Sequence, residues 1–306
     1  MWVLTALLHS RHNRRTTNLE EIMERLYISD LDGTLLTPEK TISPRTREAV
    51  NRAIAAGEGF SVATARSAST VVEILQGIQL NLPVVLMNGV FLYDIAADRY
   101  LDVQTIPLEA AQRMLDSIEG RGQKAFVYGF DGKMVVVHHK GIDPGAQEVF
   151  FHEREDKPFK RFVYTEDFGA AVHQYPVVSF VMIDSYGQLQ PIYEEVAAMP
   201  ELHASFYEDI YCPGAYYLEI TSSGASKAGG VRRLMELTGA RHITAFGDNL
   251  NDLSMLALAD EPVAVANAAP QVKEMAKRII GSNQEDGVAQ FLEERCGLEL
   301  AAAKAQ

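Results

Sequence analysis

Cysteine is scarce in this chain: Cys212 and Cys296 are the two in 306 residues, and neither belongs to a pairing motif. A disulfide framework and a thiolate zinc site are therefore not indicated, and a reducing cytoplasm is the expected compartment. Positive charge is in deficit. Lys and Arg number 28 against 41 Asp and Glu, leaving a net charge of −13, which argues against a nucleic-acid binder or a membrane surface read by basic residues. The deficit does not exclude small anionic substrates, because a bound cation and a few local donors reverse the field inside a site. Long apolar runs are missing as well; none approaches the roughly 20 residues needed to cross a bilayer. Internal repeats and low-complexity linkers are absent too. What remains is an ordinary globular composition, 47% hydrophobic and 23% charged, of a length that suggests two domains or one core with a large insertion.

The stretch Leu26-Tyr27-Ile28-Ser29-Asp30-Leu31-Asp32-Gly33-Thr34 is the natural anchor. A short apolar run of the buried-strand kind delivers two carboxylates at alternate positions, then a glycine. Asp30 and Asp32 at that spacing repel unless a cation lies between them or one holds a proton. Hard oxygen ligands suit Mg²⁺, which takes one or two carboxylates and keeps several waters. A solvated Asp-Gly turn closing a core strand is the competing reading.

Ser43 as N-cap and Pro44 at the first helical position open a helix with Ala49, Val50, Ala53 and Ile54 on its apolar stripe. A strand at 60–64, a helix at 70–76 and a strand at 82–87 follow, the last ending in Asn88-Gly89. This alternation predicts a parallel sheet with right-handed crossovers, whose strand ends carry Asp30/Asp32, Thr64 and Asn88 at one edge. From about Phe91 the texture changes to hairpins, one at 91–103 and one at 124–139 around Asp131-Gly132, with a helix at 108–118 between them. The segment 141–175 mixes charges, Phe and Pro and reads as at most one irregular helix. A strand at 177–183, a helix at 188–198 and strands at 203–207 and 216–221 complete an inserted α+β unit. The parallel pattern then resumes: a helix from Lys227 to about Leu237, a strand at 242–246, Gly247-Asp248-Asn249-Leu250-Asn251-Asp252, a helix at 253–258, strands at 263–265 and 278–280 with a helix at 270–276 between them, and a closing helix at 286–296.

The second acidic cluster, Asp248 and Asp252, also follows a strand, and a parallel sheet would gather it with Asp30 and Asp32. Four carboxylates in one small volume need a divalent cation; helix capping by Asp and Asn is the alternative. Lys227 at a helix N-terminus opposes the macrodipole, and a phosphate held with the Thr64 hydroxyl would account for it. A solvated lysine is the plain alternative.

Together these segments resemble the four motifs of the haloacid dehalogenase-like hydrolase superfamily: 30–36 the first, Thr64 in Ala-Thr-Ala-Arg the second, Lys227 the third, and 247–252 the fourth. Their order, the insertion between the second and third, Asn88-Gly89 and Glu285 to Ala289 are similar to the Cof-type branch, which includes many sugar-phosphate phosphatases. The resemblance covers about 25–292. It implies an α/β fold with a Rossmann-like parallel-sheet core, here 23–90 and 214–306, and an inserted α+β cap at 91–213. It further implies a Mg²⁺-dependent phosphatase of small phosphorylated metabolites acting through an aspartyl-phosphate. Asp30 would be the nucleophile and Asp32 the general acid and base. Asp30, Asp248 and the backbone carbonyl of Asp32 would ligate Mg²⁺, with Asp252 orienting that shell. Thr64, Lys227, Asn251 and the backbone N–H groups of Leu31 and Ala65 would hold the phosphoryl oxygens, and Asn88 would reach the substrate from the sheet edge. Ala65 and Ala228 depart from the glycines common in relatives, without removing a catalytic group. A phosphomutase using the same intermediate, and a phospholigand-binding protein without turnover, are the alternative functions. Tyr128, His138, His139, Tyr207, Tyr211, Tyr216 and Tyr217 are candidate substrate selectors, most of them expected to be packing residues. A monomer or weak homodimer is expected. Residues 1–22, apolar and then arginine-rich, are expected to be a disordered or loosely docked extension ahead of Met23.

Overall fold

The computed structural model describes residues 24–209 and 212–297, so the expected N-terminal extension and Tyr211 lie outside the described residues. The strands are β1 (Arg25–Ser29), β2 (Gly59–Val62), β3 (Val84–Leu86), β4 (Phe91–Asp94), β5 (Arg99–Val103), β6 (Phe126–Phe130), β7 (Val135–His139), β8 (Lys160–Tyr164), β9 (Val177–Asp184), β10 (Leu202–Glu208), β11 (Tyr216–Ser222), β12 (His242–Gly247), β13 (Glu261–Val265) and β14 (Arg278–Ile280). The apolar run that anchors the sequence is buried on both faces, as a parallel sheet demands: Leu26, Tyr27 and Ile28 have no exposed surface. Its sheet has the order β14-β13-β12-β1-β2, every neighbour parallel.

β3 joins that sheet through a single parallel bridge, Ala63 with Val85, and through the Thr64 N–H donating to the Val85 carbonyl at 3.0 Å. Its other edge pairs antiparallel with β4, and β4 with β5. The strand expected over 82–87 stops at Leu86 because Met87 and Asn88 take left-handed φ values of 49° and 52° and turn the chain. Pairing thus puts the hairpin at 91–103 beside the first region and carries the second sheet to Ser222, past the boundaries at 90/91 and 213/214 read from the sequence. The Pro44–Ala55 helix forms as expected: the Ser43 hydroxyl accepts from the Thr46 N–H at 3.0 Å, and Ala49, Val50 and Ala53 are buried.

The second sheet has the order β10-β11-β9-β6-β7-β8. Its period-2 alternation separates two environments. Val127, Phe180, Met182, Leu218 and Ile220 pack into one core with Met114, Ile118, Leu189 and Ile192 of the helices Leu108–Gly120 and Tyr186–Ala197. Tyr128, Ser179, Val181, Glu219 and Thr221, one residue out of phase, line a cavity on the other face. The segment 141–175, read as at most one irregular helix, contains two helices and β8, which runs parallel to β7 at the sheet edge. A five-residue edge strand in which Lys160 and Arg161 precede Phe162, Val163 and Tyr164 has no alternation and gives almost no periodic signal.

His138 and His139 lie in this second unit and do not line the cavity. Both imidazoles are buried; His138 stacks on Tyr175 at 6.1 Å, and neither of its ring nitrogens has a partner among the described residues. Burial first, then Arg161 and His139, holds His138 below its ordinary value, and burial does the same to His139. A histidine kept neutral when folded contributes stability that is lost as pH falls through the unfolded value of about 6.5. The melting temperature of the wild type is therefore expected to drop more than that of a His138→Phe, His139→Phe variant between about pH 7.5 and pH 5.5; parallel curves would show that these rings carry no such cost.

Candidate active site

Parallel pairing of β1 with β12 sets Ser29 opposite Phe246, and the Asp30 N–H donates to the Phe246 carbonyl at 3.0 Å. The two acidic clusters are thereby brought to the same end of adjacent strands. Beyond Asp30 the chain makes a type II turn, with Asp32 at φ −72°, ψ 119° and Gly33 at φ 81°, ψ −8°. Gly33 is required twice. Its φ is positive, and a side chain there would meet Asp248, whose Oδ2 lies 2.3 Å from where a Cβ would stand. The Thr34 hydroxyl donates to Asp248 Oδ1 at 3.1 Å, and the Asn267 amide donates to the Gly33 carbonyl at 2.8 Å.

Lys227 opens the helix Lys227–Thr238, and its side chain is 1% exposed. Its ammonium donates to Asp30 Oδ1 at 2.5 Å and to Asp252 Oδ1 at 2.6 Å. These two ion pairs account for a cation at a helix N-terminus. Asp252 spends its other oxygen on the N–H groups of Asp248 and Asn249, both at 3.0 Å. It thus both caps the turn at 249–252 and anchors Lys227. Burial alone would lower the Lys227 ammonium; Asp30 and Asp252 outweigh that and hold it above its ordinary value. Burial pushes Asp30 up to about 7 despite Lys227, with Asp252 adding to the rise, and pushes Asp248 up to about 6.

Sequence reasoning gave no role to Arg66, which grips Asp32 with both arms, Nε to Oδ2 at 2.6 Å and Nη2 to Oδ1 at 2.5 Å. The Arg66 N–H donates to the Thr64 hydroxyl at 3.1 Å, and the backbone of 64–66 holds the turn after β3, Met87 N–H to the Arg66 carbonyl and Asn88 N–H to the Thr64 carbonyl. That turn presents Asn88, whose buried Oδ1 has no partner among the described residues. Gly89, at φ 96°, lets it touch the start of the Lys227 helix, since a Cβ would stand 2.0 Å from the Ser226 carbonyl oxygen. Asn267 and Asn283 were also missed; Asn283 ties the Leu36 carbonyl to the loop after β14 at 2.8 Å. Asparagines in loops carry no periodicity, and only the backbone they bind reveals them.

A cavity of about 1050 Å³ lies between the strand ends and the second sheet. Asp32, Ala65, Asn88, Lys227 and Asn251 line it. Asp30, Leu31, Thr64 and Asp252 are buried beside or beneath them. Of the candidate selectors, Tyr128 lines the cavity; Tyr207, Tyr216 and Tyr217 do not. Tyr207 instead stacks on Tyr217 at 5.6 Å and donates its hydroxyl to the cavity-lining Glu219 at 2.9 Å. Arg154, Lys157 and Lys160, from the segment read as at most one irregular helix, also reach the wall.

One carboxylate oxygen from each of Asp30, Asp248 and Asp252 lies within 4.8 Å of the others, whereas the Asp32 carboxylate is outside this group and paired with Arg66. Three carboxylates against the single ammonium of Lys227 leave two negative charges, which a divalent cation of hard-oxygen preference would balance. Lys227→Met is expected to destabilise the protein by about 3–5 kcal/mol, because Asp30 and Asp252 lose their cation while buried. Urea unfolding without added metal measures this, and a loss under about 1 kcal/mol would show that the ammonium is not what compensates them.

Comparison with known proteins identifies the family. The sequence model of the haloacid dehalogenase-like hydrolase family matches residues 27–292. The chain is 30% identical over 278 residues to the pyridoxal phosphate phosphatase YbhA of Escherichia coli, covering 88% of this chain and 97% of that one. It is 28% identical to the 5-amino-6-(5-phospho-D-ribitylamino)uracil phosphatase YitU of Bacillus subtilis, covering 87% and 95%. Its fold is similar to that of a haloacid dehalogenase-like hydrolase from Bacteroides thetaiotaomicron, with a TM-score of 0.70, 25% identity and coverage of 89% and 99%. An acidic strand-end cluster bridged by a buried lysine, on this fold and with these relatives, places the chain in the haloacid dehalogenase-like hydrolase family.

Proposed function

We propose that this phosphatase hydrolyses a small phosphorylated metabolite with Mg²⁺, through an aspartyl-phosphate on Asp30. The observation that carries the reading is the Lys227 bridge between Asp30 and Asp252 at the floor of a cavity that also holds Asp32. Lys227 fixes Asp30 Oδ1, and no described residue hydrogen-bonds to Oδ2, which is left to attack phosphorus. Asp30, Asp248 and the Asp32 backbone carbonyl would hold Mg²⁺, with Asp252 behind them. The ion supplies charge neutralisation at the phosphoryl oxygens. Lys227, Thr64, Asn251 and the N–H groups of Leu31 and Ala65 hold those oxygens as charge builds on them.

Asp32 protonates the departing alkoxide as the bond between phosphorus and the leaving oxygen breaks. It then takes a proton from the water that attacks the phosphorus of the aspartyl-phosphate, releasing orthophosphate and restoring the Asp30 carboxylate. Arg66 holds Asp32 before substrate enters; a phosphoryl group matches the guanidinium fork equally well and would free Asp32 for proton transfer. We assign the second sheet and its helices to a cap that closes over the cavity and excludes water. The YbhA and YitU names support phosphorylated small molecules as the substrate class. We propose a cytoplasmic monomer or weak homodimer, the reducing compartment being the one that two free cysteines suit; among the described residues no helix is long and apolar enough to cross a membrane.

Asp30→Asn is expected to lower orthophosphate release at least about a thousandfold, and Asp32→Asn roughly 10²–10⁴-fold. Release unaffected by Asp30→Asn would rule out the covalent route, and phosphoryl transfer to a sugar hydroxyl without orthophosphate would establish a mutase instead.

Proton and cation compete for Asp30 and Asp248, whose carboxyls burial pushes up to about 7 and about 6. Mg²⁺ is therefore expected to raise the melting temperature at about pH 8 and progressively less as pH falls through that window. A shift of constant size down to about pH 5 would remove these carboxylates as its ligands.

A further inference from the structure

The cavity is larger than a phosphoryl group needs; about 1050 Å³ is at the upper end of the roughly 300–1000 Å³ of ordinary small-molecule sites. Its acidic wall residues already have partners. Asp32 pairs with Arg66, Glu153 with Arg154 at 2.8 Å, and Glu219 accepts from Tyr207 at 2.9 Å. Lys160 does not. It begins β8 opposite Val135 of β7 and is part-buried, and its ammonium makes no hydrogen bond or ion pair among the described residues. It lines the main cavity and also a small recess beneath it that is walled by Phe91, Tyr100, Tyr128 and Phe159. Arg154 lies close by in the same wall, its guanidinium 4.1 Å from the centre of the Phe150 ring.

Burial, then Arg154, lowers the Lys160 ammonium to about 8, and no carboxylate opposes that drop. A largely buried ammonium beside a second cation, with no carboxylate paired to it, is unfavourable until an anion arrives. On the phosphatase reading above, we propose that Lys160, aided by Arg154, recognises a second anionic group of the substrate, a carboxylate or a second phosphate, at the far end from the phosphoryl that is cleaved. The substrate is then a phosphorylated acid or a bisphosphate rather than a simple sugar monophosphate. No hydrogen bond or ion pair joins Lys160 to Asp30, Asp32 or Lys227, so Lys160 is assigned to specificity and not to bond breaking.

The test is orthophosphate release with Mg²⁺ from two matched pairs, glycerol 3-phosphate against 3-phosphoglycerate and fructose 6-phosphate against fructose 1,6-bisphosphate. Wild type, Lys160→Met and Lys160→Arg are compared, with melting temperatures confirming that the variants fold. In the wild type kcat/KM is expected to favour the doubly anionic member of at least one pair by about tenfold or more, as one charge-assisted hydrogen bond provides. Lys160→Met is expected to reduce that preference about tenfold, and Lys160→Arg to retain it. The pair that responds tells carboxylate from phosphate. Equal kcat/KM within both pairs, or a preference that survives Lys160→Met, would overturn the inference and leave the phosphatase reading standing. If neither these compounds nor an aryl phosphate release orthophosphate, the phosphatase reading fails, and calorimetric binding of the same four compounds decides. A doubly anionic compound bound about tenfold more weakly by Lys160→Met upholds the second site, whereas unchanged or undetectable binding overturns it.

Discussion

One ammonium holds two strand ends together. Lys227 sits between Asp30 after β1 and Asp252 after β12, almost wholly removed from water. Such an arrangement survives only if each group keeps its partners, and the surrounding chain is arranged to provide them. Asp252 places its second oxygen on two backbone N–H groups, Asp248 accepts from Thr34, and the turn after β3 presses Gly89 against the start of the Lys227 helix. The bulk of a single methyl group at Gly33 or Gly89 would separate these pieces. The residual negative charge makes the cluster able to hold a cation, and the same charge would repel a phosphoryl group without one.

The rest of the cavity follows from strand periodicity. The cap strands β6, β9, β10 and β11 turn one face to the helices and the other to the cavity, so apolar side chains and polar or charged ones alternate along the same few residues. Ser179 stands between Val178 and Phe180, and Glu219 between Leu218 and Ile220. Register therefore decides chemistry: a slip of one residue would put carboxylate and hydroxyls into the helix-packed core. On this wall a chain of net charge −13 presents Arg154, Lys157 and Lys160, a local reversal that the total does not reveal.

Much of this was legible in the sequence where local signals agree. Ser43-Pro44 with its apolar stripe became the expected helix, Asp131-Gly132 the expected hairpin, and Leu253–Leu258 and Arg278–Ile280 match the expected bounds. Signals failed where context outweighs pattern. β8 is an edge strand of mixed composition, and β3 was read as a full parallel strand although one bridge ties it to that sheet and the hairpin takes its other edge. His138 and His139, in a group of candidate selectors expected to be mostly packing residues, do pack, among Tyr175, Phe126 and Phe162.

The sequence by itself determined the residue types and their attachment to strand ends: Asp30, Asp32, Thr64, Lys227 and Asp248 follow apolar runs or open helices, a local property that pattern and turn chemistry record. Only the tertiary structure decided who pairs with whom. That Lys227 spans Asp30 and Asp252, that Arg66 takes Asp32, and that Lys160 takes no described residue are outcomes of burial and of contacts between distant segments. Pairing energies depend on separation and on exclusion of water, and neither quantity exists until the strands lie side by side.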